Sequence, residues 1–101
     1  MNIIFDTQFQ ADLRKLLRDN PLIKHELEDL IDSIYEFEGV PESYNPHQLS
    51  HPRGMYSGYW ELHLQEGKFD VILIYNYRYN VPIIRFVRIG SHNNLFHNVH
   101  Q

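Results

Sequence analysis

The chain has 101 residues and a mass of 12.2 kDa, with 43% hydrophobic residues and no cysteine. This length supports one hydrophobic core, so we expect a single domain over residues 1–101, and the lack of cysteine excludes disulfides and thiolate metal sites. Residues 1–50 carry four Lys/Arg and ten Asp/Glu, whereas residues 51–101 carry five Lys/Arg, three Asp/Glu and five of the seven histidines. An anionic ligand is therefore expected at the C-terminal half.

No membrane or export signal is expected. The first 15 residues, MNIIFDTQFQADLRK, lack a basic segment followed by an apolar one, and the longest aliphatic run covers only residues 71–74. Such a run is far too short to span a bilayer. We expect a cytoplasmic protein with no membrane contact.

Hydrophobic spacing predicts a strand and two helices in the first half. Residues 3–5 form a short apolar run, and Thr7 and Gln10 have capping-box spacing ahead of a helix. A second helix is expected to begin at Asn20-Pro21 and to end at Gly39. The apolar positions expected to face a sheet are Phe9, Leu13, Leu16, Leu17, Ile23, Leu27, Leu30, Ile31 and Ile34.

A long proline-rich loop over residues 39–57 precedes a change to period-two alternation. Three strands are expected, ending with residues 82–89. The order β-α-α-β-β-β predicts an α+β fold in which a helical hairpin packs on a small, mostly antiparallel sheet.

The first predicted hairpin separates two chemically different faces. If its turn is residues 65–68, His63 lies opposite Asp70, and Glu61 lies on the same face. The other face is apolar and is expected to meet the helices: Trp60, Leu62, Leu64, Phe69, Val71 and Leu73.

The position of Arg88 depends on the length of the second turn. A three-residue loop at 78–80 pairs Arg88 with Asp70, whereas a four-residue loop turns Arg88 toward the core. We favour the first register, because an arginine beside a carboxylate costs less free energy than one against apolar residues.

Polar residues follow the last strand in the segment RIGSHNNLF, residues 88–96. Gly90 permits a reversal that returns His92 over the sheet, and His51 can reach the same end. With His63, Asp70 and Arg88, such a set suits acid-base cleavage of RNA, in which a base takes the 2′-hydroxyl proton and an acid protonates the leaving 5′-oxygen.

Other interpretations of these residues remain open. A histidine beside a carboxylate is often only a structural hydrogen-bonded pair. Arg88 can be an ordinary ion-pair residue, and Phe96 can be part of the core. We expect no metal, although His92, His97 and His100 are an alternative ligand set without an acidic partner. His25 and His47 are interpreted as solvated residues.

Three segments together resemble the YafQ-type branch of the RelE/ParE toxin superfamily: LSHPRGMYSGYWELHL, FDVILIYNYR and IIRFVRIGSHNNLF. The resemblance implies the fold inferred above and a toxin that cleaves mRNA on the ribosome without a metal or another cofactor. It also implies a cognate antitoxin protein as partner, and DNA contact only indirectly through the antitoxin complex.

The resemblance further implies roles for individual residues. His51, His63, Asp70 and His92 are the implied catalytic residues, with Asp70 and His63 on the base side and His92 as the general acid. Arg88 binds the phosphate and Phe96 positions the nucleotide. Glu61, where the family commonly has aspartate, is assigned with these two to substrate binding. The alternatives are a non-catalytic binding module of the same fold, such as a gyrase inhibitor, and a degenerate toxin that only binds its antitoxin.

Overall fold

The structure, a computed structural model, describes residues 1–50, 54–65, 70–78 and 80–96. The strands are β1 (Asn2–Phe5), β2 (His47–Gln48), β3 (Trp60–His63), β4 (Ile72–Arg78) and β5 (Val81–Gly90). The helices are α1 (Thr7–Asp19), α2 (Ile23–Phe37) and α3 (His92–Phe96), with 3₁₀ turns at Glu42–Tyr44 and Gly54–Tyr56. The sheet order is β1-β5-β4-β3-β2; β1 runs parallel to β5, and the other pairs are antiparallel.

The α+β architecture predicted from the sequence is confirmed, with two additions. The long loop contains the two-residue strand β2, which pairs with β3 through His47 and Glu61. The segment after β5 forms α3, whose first turn is capped by Ser91: its Oγ accepts a hydrogen bond from the Asn94 N–H at 3.1 Å. Both additions are too short to show a hydrophobic period.

One face of the sheet packs against α1 and α2. The main core joins Phe9 of α1 and Leu30 of α2 to alternate residues of the strands. Leu62, Leu64, Val71 and Leu73 all belong to this core, as the period-two alternation predicts.

A second apolar cluster covers the opposite face. Its buried residues come from the 47–59 segment, from β4 and from α3: Leu49, Tyr56, Ile72, Ile74, Leu95 and Phe96. The face expected to carry titratable groups therefore also has an apolar centre, formed by Ile72 and Ile74. That centre anchors α3 over the sheet.

The predicted register of the first hairpin is wrong by two positions. His63 pairs with Ile72 rather than with Asp70, and the Leu64 N–H donates to the Val71 carbonyl. A shift of two leaves every side chain on its predicted face but changes all of its cross-strand partners. Asp70 consequently lies outside β4, two residues before its first residue, Ile72.

The predicted pairing of Arg88 with Asp70 is also wrong, because Arg88 pairs with Ile74. The register shifts there: Tyr75 pairs with Phe86, which leaves Val87 as an extra residue in β5. Such a bulge places two residues opposite one and redirects the side chains. It sets Arg88 opposite Ile74, which lies in the second cluster.

The helix ends also differ from prediction. Asp6, not Thr7, is the N-cap of α1, and Gln10 donates instead to the Phe5 carbonyl at 3.0 Å. The second helix ends at a left-handed Glu38, one residue before Gly39. None of the helices in the described ranges has both the length and the apolar character that crossing a membrane requires.

Candidate active site

A row of paired residues crosses four strands on the face opposite α1 and α2. His47 of β2 pairs with Glu61 of β3, Glu61 with Ile74 of β4, and Ile74 with Arg88 of β5. Neighbouring strands are about 4.8 Å apart, so Glu61 and Arg88 are separated by about 10 Å between their backbones. The next row is His63, Ile72 and Gly90, and it leads directly into α3.

Glu61 is the centre of a histidine cluster. Its Oε2 lies 2.8 Å from Nε2 of His47 and 3.4 Å from Nε2 of His63, and its Oε1 lies 3.0 Å from Nε2 of His92. The side chain is only 3% exposed. No donor in the described part of the chain is aligned for a hydrogen bond to Oε1. A buried carboxylate in these surroundings needs a cation or an acidic proton beside it.

Asp70 fixes His92 at the start of α3. One carboxylate oxygen accepts the His92 backbone N–H at 3.0 Å, and the other lies 2.6 Å from Nδ1 of the ring. With Glu61 at Nε2, both ring nitrogens face carboxylate oxygens. Only the doubly protonated imidazolium can donate to both of them. The ring is therefore held between two carboxylates, Asp70 at Nδ1 and Glu61 at Nε2.

Arg88 is held by Asp12 of α1 and by Tyr56. The Asp12 carboxylate accepts Nε at 2.6 Å and Nη2 at 3.2 Å, and it also accepts the Ile89 backbone N–H at 3.2 Å. The Tyr56 hydroxyl accepts Nη1 at 3.0 Å. The hydrogen bonds that Arg88 donates to Asp12 raise the pKa of Arg88 above its ordinary range, burial opposes this rise, and the hydrogen bond to Tyr56 adds to it. The guanidinium therefore stays charged, and its side chain is 22% exposed.

Phe96 is buried, with 2% of its surface exposed. Its ring stacks at 6.0 Å on His92 and meets Tyr56 edge-on at 6.0 Å. The Phe96 ring therefore packs against one face of the His92 imidazole. Gly90 lies close to the same helix, because a Cβ there would come within 3.3 Å of the Leu95 side chain.

The structure brings together most of the residues predicted for the site. His63, Glu61 and His92 are joined directly, and Asp70 joins them through His92 rather than through His63. Arg88 lies two strands from Glu61. His51 lies outside the described residues, as do His97 and His100 of the alternative metal set.

Sequence reasoning missed three contributors. His47 is 46% exposed but contacts Glu61, so its interpretation as a solvated residue is incomplete. Asp12 and Tyr56 hold Arg88 from distant parts of the chain. The only sequence signal for His47 is its place in a polar loop, which does not specify a partner. Asp12 has the sequence pattern of an ordinary helix residue, which gives no sign of a contact with Arg88.

One group in the described ranges has the composition of a metal site. A ligand atom from each of His47, Glu61 and His63 lies within 4.8 Å of the others. Two imidazoles and one carboxylate are a ligand set used for zinc.

The chain resembles known toxins over nearly its whole length. Residues 1–97 match the model of a family described as the bacterial toxin YafQ of a type II toxin-antitoxin system. Comparison with curated protein sequences finds no match.

Solved structures agree with this family match. YafQ from Escherichia coli is 27% identical, with a TM-score of 0.70 over 94% of this chain and 97% of that one. The toxin in the E. coli DinJ-YafQ complex is 29% identical, with a TM-score of 0.69 over 94% and 97%. A metal-bound toxin from Helicobacter pylori is 25% identical, with a TM-score of 0.73 over 95% and 99%.

Proposed function

Because the chain belongs to the YafQ family of toxins from type II toxin-antitoxin systems, we propose that it is a ribosome-dependent mRNA endonuclease that inhibits translation. The observation that carries the proposal is His92 held between Asp70 and Glu61. RNA cleavage by internal attack needs a base, an acid and a cation for the phosphate. The 2′-oxygen bonds to phosphorus, the bond to the 5′-oxygen breaks, and a 2′,3′-cyclic phosphate results.

His92 is the proposed general acid. Asp70 accepts both its backbone N–H and its Nδ1, so that side of the ring is fixed. Nε2 faces Glu61 at 3.0 Å without a hydrogen bond to Oε1. Nε2 is therefore the nitrogen that can exchange its carboxylate contact for the leaving 5′-oxygen. Asp70 keeps the ring in position during this exchange, as a carboxylate orients the histidine of a catalytic triad.

His63 with Glu61 is the proposed base side. The resemblance implies Asp70 as the partner of His63, but Glu61 is the carboxylate that lies 3.4 Å from its Nε2. His63 is 24% exposed and Glu61 only 3%. His63 is therefore the group that reaches the 2′-hydroxyl, while Glu61 stabilises the positive charge that develops on the ring. His51 remains a proposed contributor to this side.

Arg88 is the proposed phosphate ligand. It remains charged through Asp12, and 22% of its side chain is exposed, so the guanidinium is accessible to a phosphate. Phe96 acts through His92, against which its ring stacks. This makes Phe96 a positioning residue and not a contact for an RNA base.

The acid assignment can be tested by changing the leaving atom. Programmed bacterial ribosomes would be mixed with the purified chain and an mRNA whose scissile 5′-oxygen is replaced by sulfur. A thiolate leaves without protonation because its conjugate acid has a pKa near 8.5. We expect His92→Gln to slow cleavage of the oxygen substrate by about 100-fold or more and to cut the sulfur substrate at nearly the wild-type rate.

His25→Gln is the matched control, since His25 is 83% exposed on α2. It should leave both rates unchanged. Equal slowing of both substrates by His92→Gln would show that His92 is not the acid. Growth arrest without cut mRNA would favour a non-catalytic binder, and a chain that neither arrests growth nor cuts mRNA would fit the degenerate toxin.

The proposed partners are the ribosome, its mRNA and a cognate antitoxin protein. The E. coli relative is solved in complex with DinJ. On this chain α2 presents an acidic face, with Glu28, Asp32 and Glu36 exposed, next to an exposed Phe37. We expect basic and apolar antitoxin residues there. Co-expression with the adjacent gene should give a complex that Phe37→Asp weakens, whereas complete separation of the two wild-type proteins would contradict this pairing.

A further inference from the structure

We propose that His47, Glu61 and His63 form a binding site for Zn²⁺ and that the bound ion blocks the catalytic centre. The binding is argued from geometry alone, whereas the blocking rests on the proposed function. The three side chains converge from two adjacent strands, β2 and β3, so the backbone pairing of His47 with Glu61 fixes their spacing. A site on paired strands is more rigid than one on loops.

The distances suit a tetrahedral ion. Zinc binds imidazole nitrogen at about 2.0–2.1 Å and carboxylate oxygen at about 2.0–2.2 Å, which places ligand atoms about 3.4 Å apart. Glu61 Oε2 lies 2.8 Å from Nε2 of His47 and 3.4 Å from Nε2 of His63. The two rings stack at 5.6 Å with an interplanar angle of 23°. Both rings therefore lie beside the same carboxylate oxygen.

The nitrogen of His47 that faces away from Glu61, Nδ1, has the kind of partner that is common in metal sites. Its Nδ1 lies 3.1 Å from the Asn45 carbonyl, to which it can only donate. The neutral tautomer that makes this bond leaves a lone pair on Nε2, aimed at the Glu61 carboxylate. Two lone pairs at 2.8 Å repel unless a proton or a cation lies between them. Metal-bound histidines commonly donate their second nitrogen to a backbone carbonyl in this way.

Glu61 supplies an independent indication. Its side chain is only 3% exposed, and Oε1 has no aligned hydrogen-bond donor among the residues described. A bound cation would neutralise this carboxylate directly. It would also occupy Nε2 of His63, so the proposed base could no longer accept the 2′-hydroxyl proton. Bound Zn²⁺ and acid-base cleavage are therefore mutually exclusive.

Isothermal titration of the purified, metal-free chain with ZnCl₂ tests the binding without any cleavage assay. We expect one ion per chain with a Kd of about 1 μM or tighter, and no binding of MgCl₂, which prefers oxygen ligands. His47→Gln should weaken the binding by at least about 100-fold, and Glu61→Gln should do the same. Long-range ¹H–¹⁵N spectra should show Zn²⁺ shifting the Nε2 resonances of His47 and His63.

Two control variants identify competing sites. His25→Gln removes an exposed histidine and should leave the affinity unchanged. The double variant His97→Gln/His100→Gln should also bind normally; if it loses the ion while His47→Gln keeps it, the site proposed here is wrong. Failure of the wild-type chain to bind Zn²⁺ overturns the proposal in the same way. Binding without inhibition of cleavage keeps the metal site but refutes the blocking, and a chain that binds Zn²⁺ yet never cleaves RNA refutes only the proposed function.

Discussion

The contact between Asp12 and Arg88 should contribute measurably to the stability of the fold. Asp12 accepts two guanidinium contacts and the Ile89 N–H, which lies in β5 beyond the end of its pairing with β1. The two side chains are 12% and 22% exposed. This ion pair is therefore better shielded from water than a surface pair.

The size of the effect follows from what each substitution removes. Asp12→Asn keeps an oxygen for the Ile89 N–H but loses the charge, so we expect a loss of about 1.5 kcal/mol in the free energy of unfolding. Asp12→Ala also leaves the N–H without an acceptor and should cost about 3 kcal/mol. A loss of 1.5 kcal/mol corresponds to about 6–12 °C in Tm for a domain of this size.

A double-mutant cycle with Asp12→Asn and Arg88→Gln, measured by urea unfolding, isolates the pair. We expect a coupling energy of about 1–2 kcal/mol. Asp6 and Arg85 provide the matched control, since they are 3.4 Å apart and 33% and 53% exposed. Their coupling should stay below about 0.5 kcal/mol. Equal coupling in the two cycles would refute the reasoning that burial strengthens the Asp12 contact.

Two further substitutions test features of the sheet. Burial, and secondarily Glu42, raises the pKa of Tyr75 above its ordinary value of 10.0, so the contribution of Tyr75 to stability is intact below about pH 10 and is lost as the pH rises beyond it. Tyr75→Phe should therefore flatten the fall in Tm between pH 9.5 and 11. A curve no flatter than that of Tyr35→Phe, the control at an exposed tyrosine, would contradict this. Gly90→Ala places a Cβ 3.3 Å from Leu95 and should lower the free energy of unfolding in urea by about 1–2 kcal/mol. Gly39→Ala is the control, because a Cβ there meets nothing within 4 Å, and it should lower the free energy of unfolding by less than about 0.5 kcal/mol. Similar losses in the two variants would argue against crowding under α3.

The side-chain faces of the sheet could be predicted from the sequence because alternation is insensitive to an even shift in register. Leu62 and Leu73 reach the main core with or without the two-residue error in the first hairpin. Cross-strand partners could not be predicted, because they depend on the length of the turn. For this reason the sequence predicts Asp70 beside His63, whereas the structure has Asp70 beside His92.

Arg88 shows how a correct face can follow from an incorrect pairing. The expected three-residue loop and the observed bulge at Val87 both put Arg88 on the Ile74 face of the sheet rather than in the main core, and its guanidinium reaches Asp12 of α1. A bulge has no reliable sequence signal here, since Val87 is an ordinary strand residue. Asp12 and Arg88 are 76 positions apart, and neither hydrophobic period nor local motif links residues at such a separation.

The parallel pairing of β1 with β5 has a consequence for the synthesis of the chain. Asn2 finds its strand partner, Ile83, 81 positions later, and the histidine cluster needs both His47 and His92. Contacts this distant in sequence cannot form while the intervening residues are still to be translated. A nascent chain that has not yet produced β5 and α3 has neither a complete sheet nor the proposed acid. The proposed cleavage activity therefore cannot arise until nearly the whole domain has been synthesised, and we expect prematurely terminated fragments to be inactive.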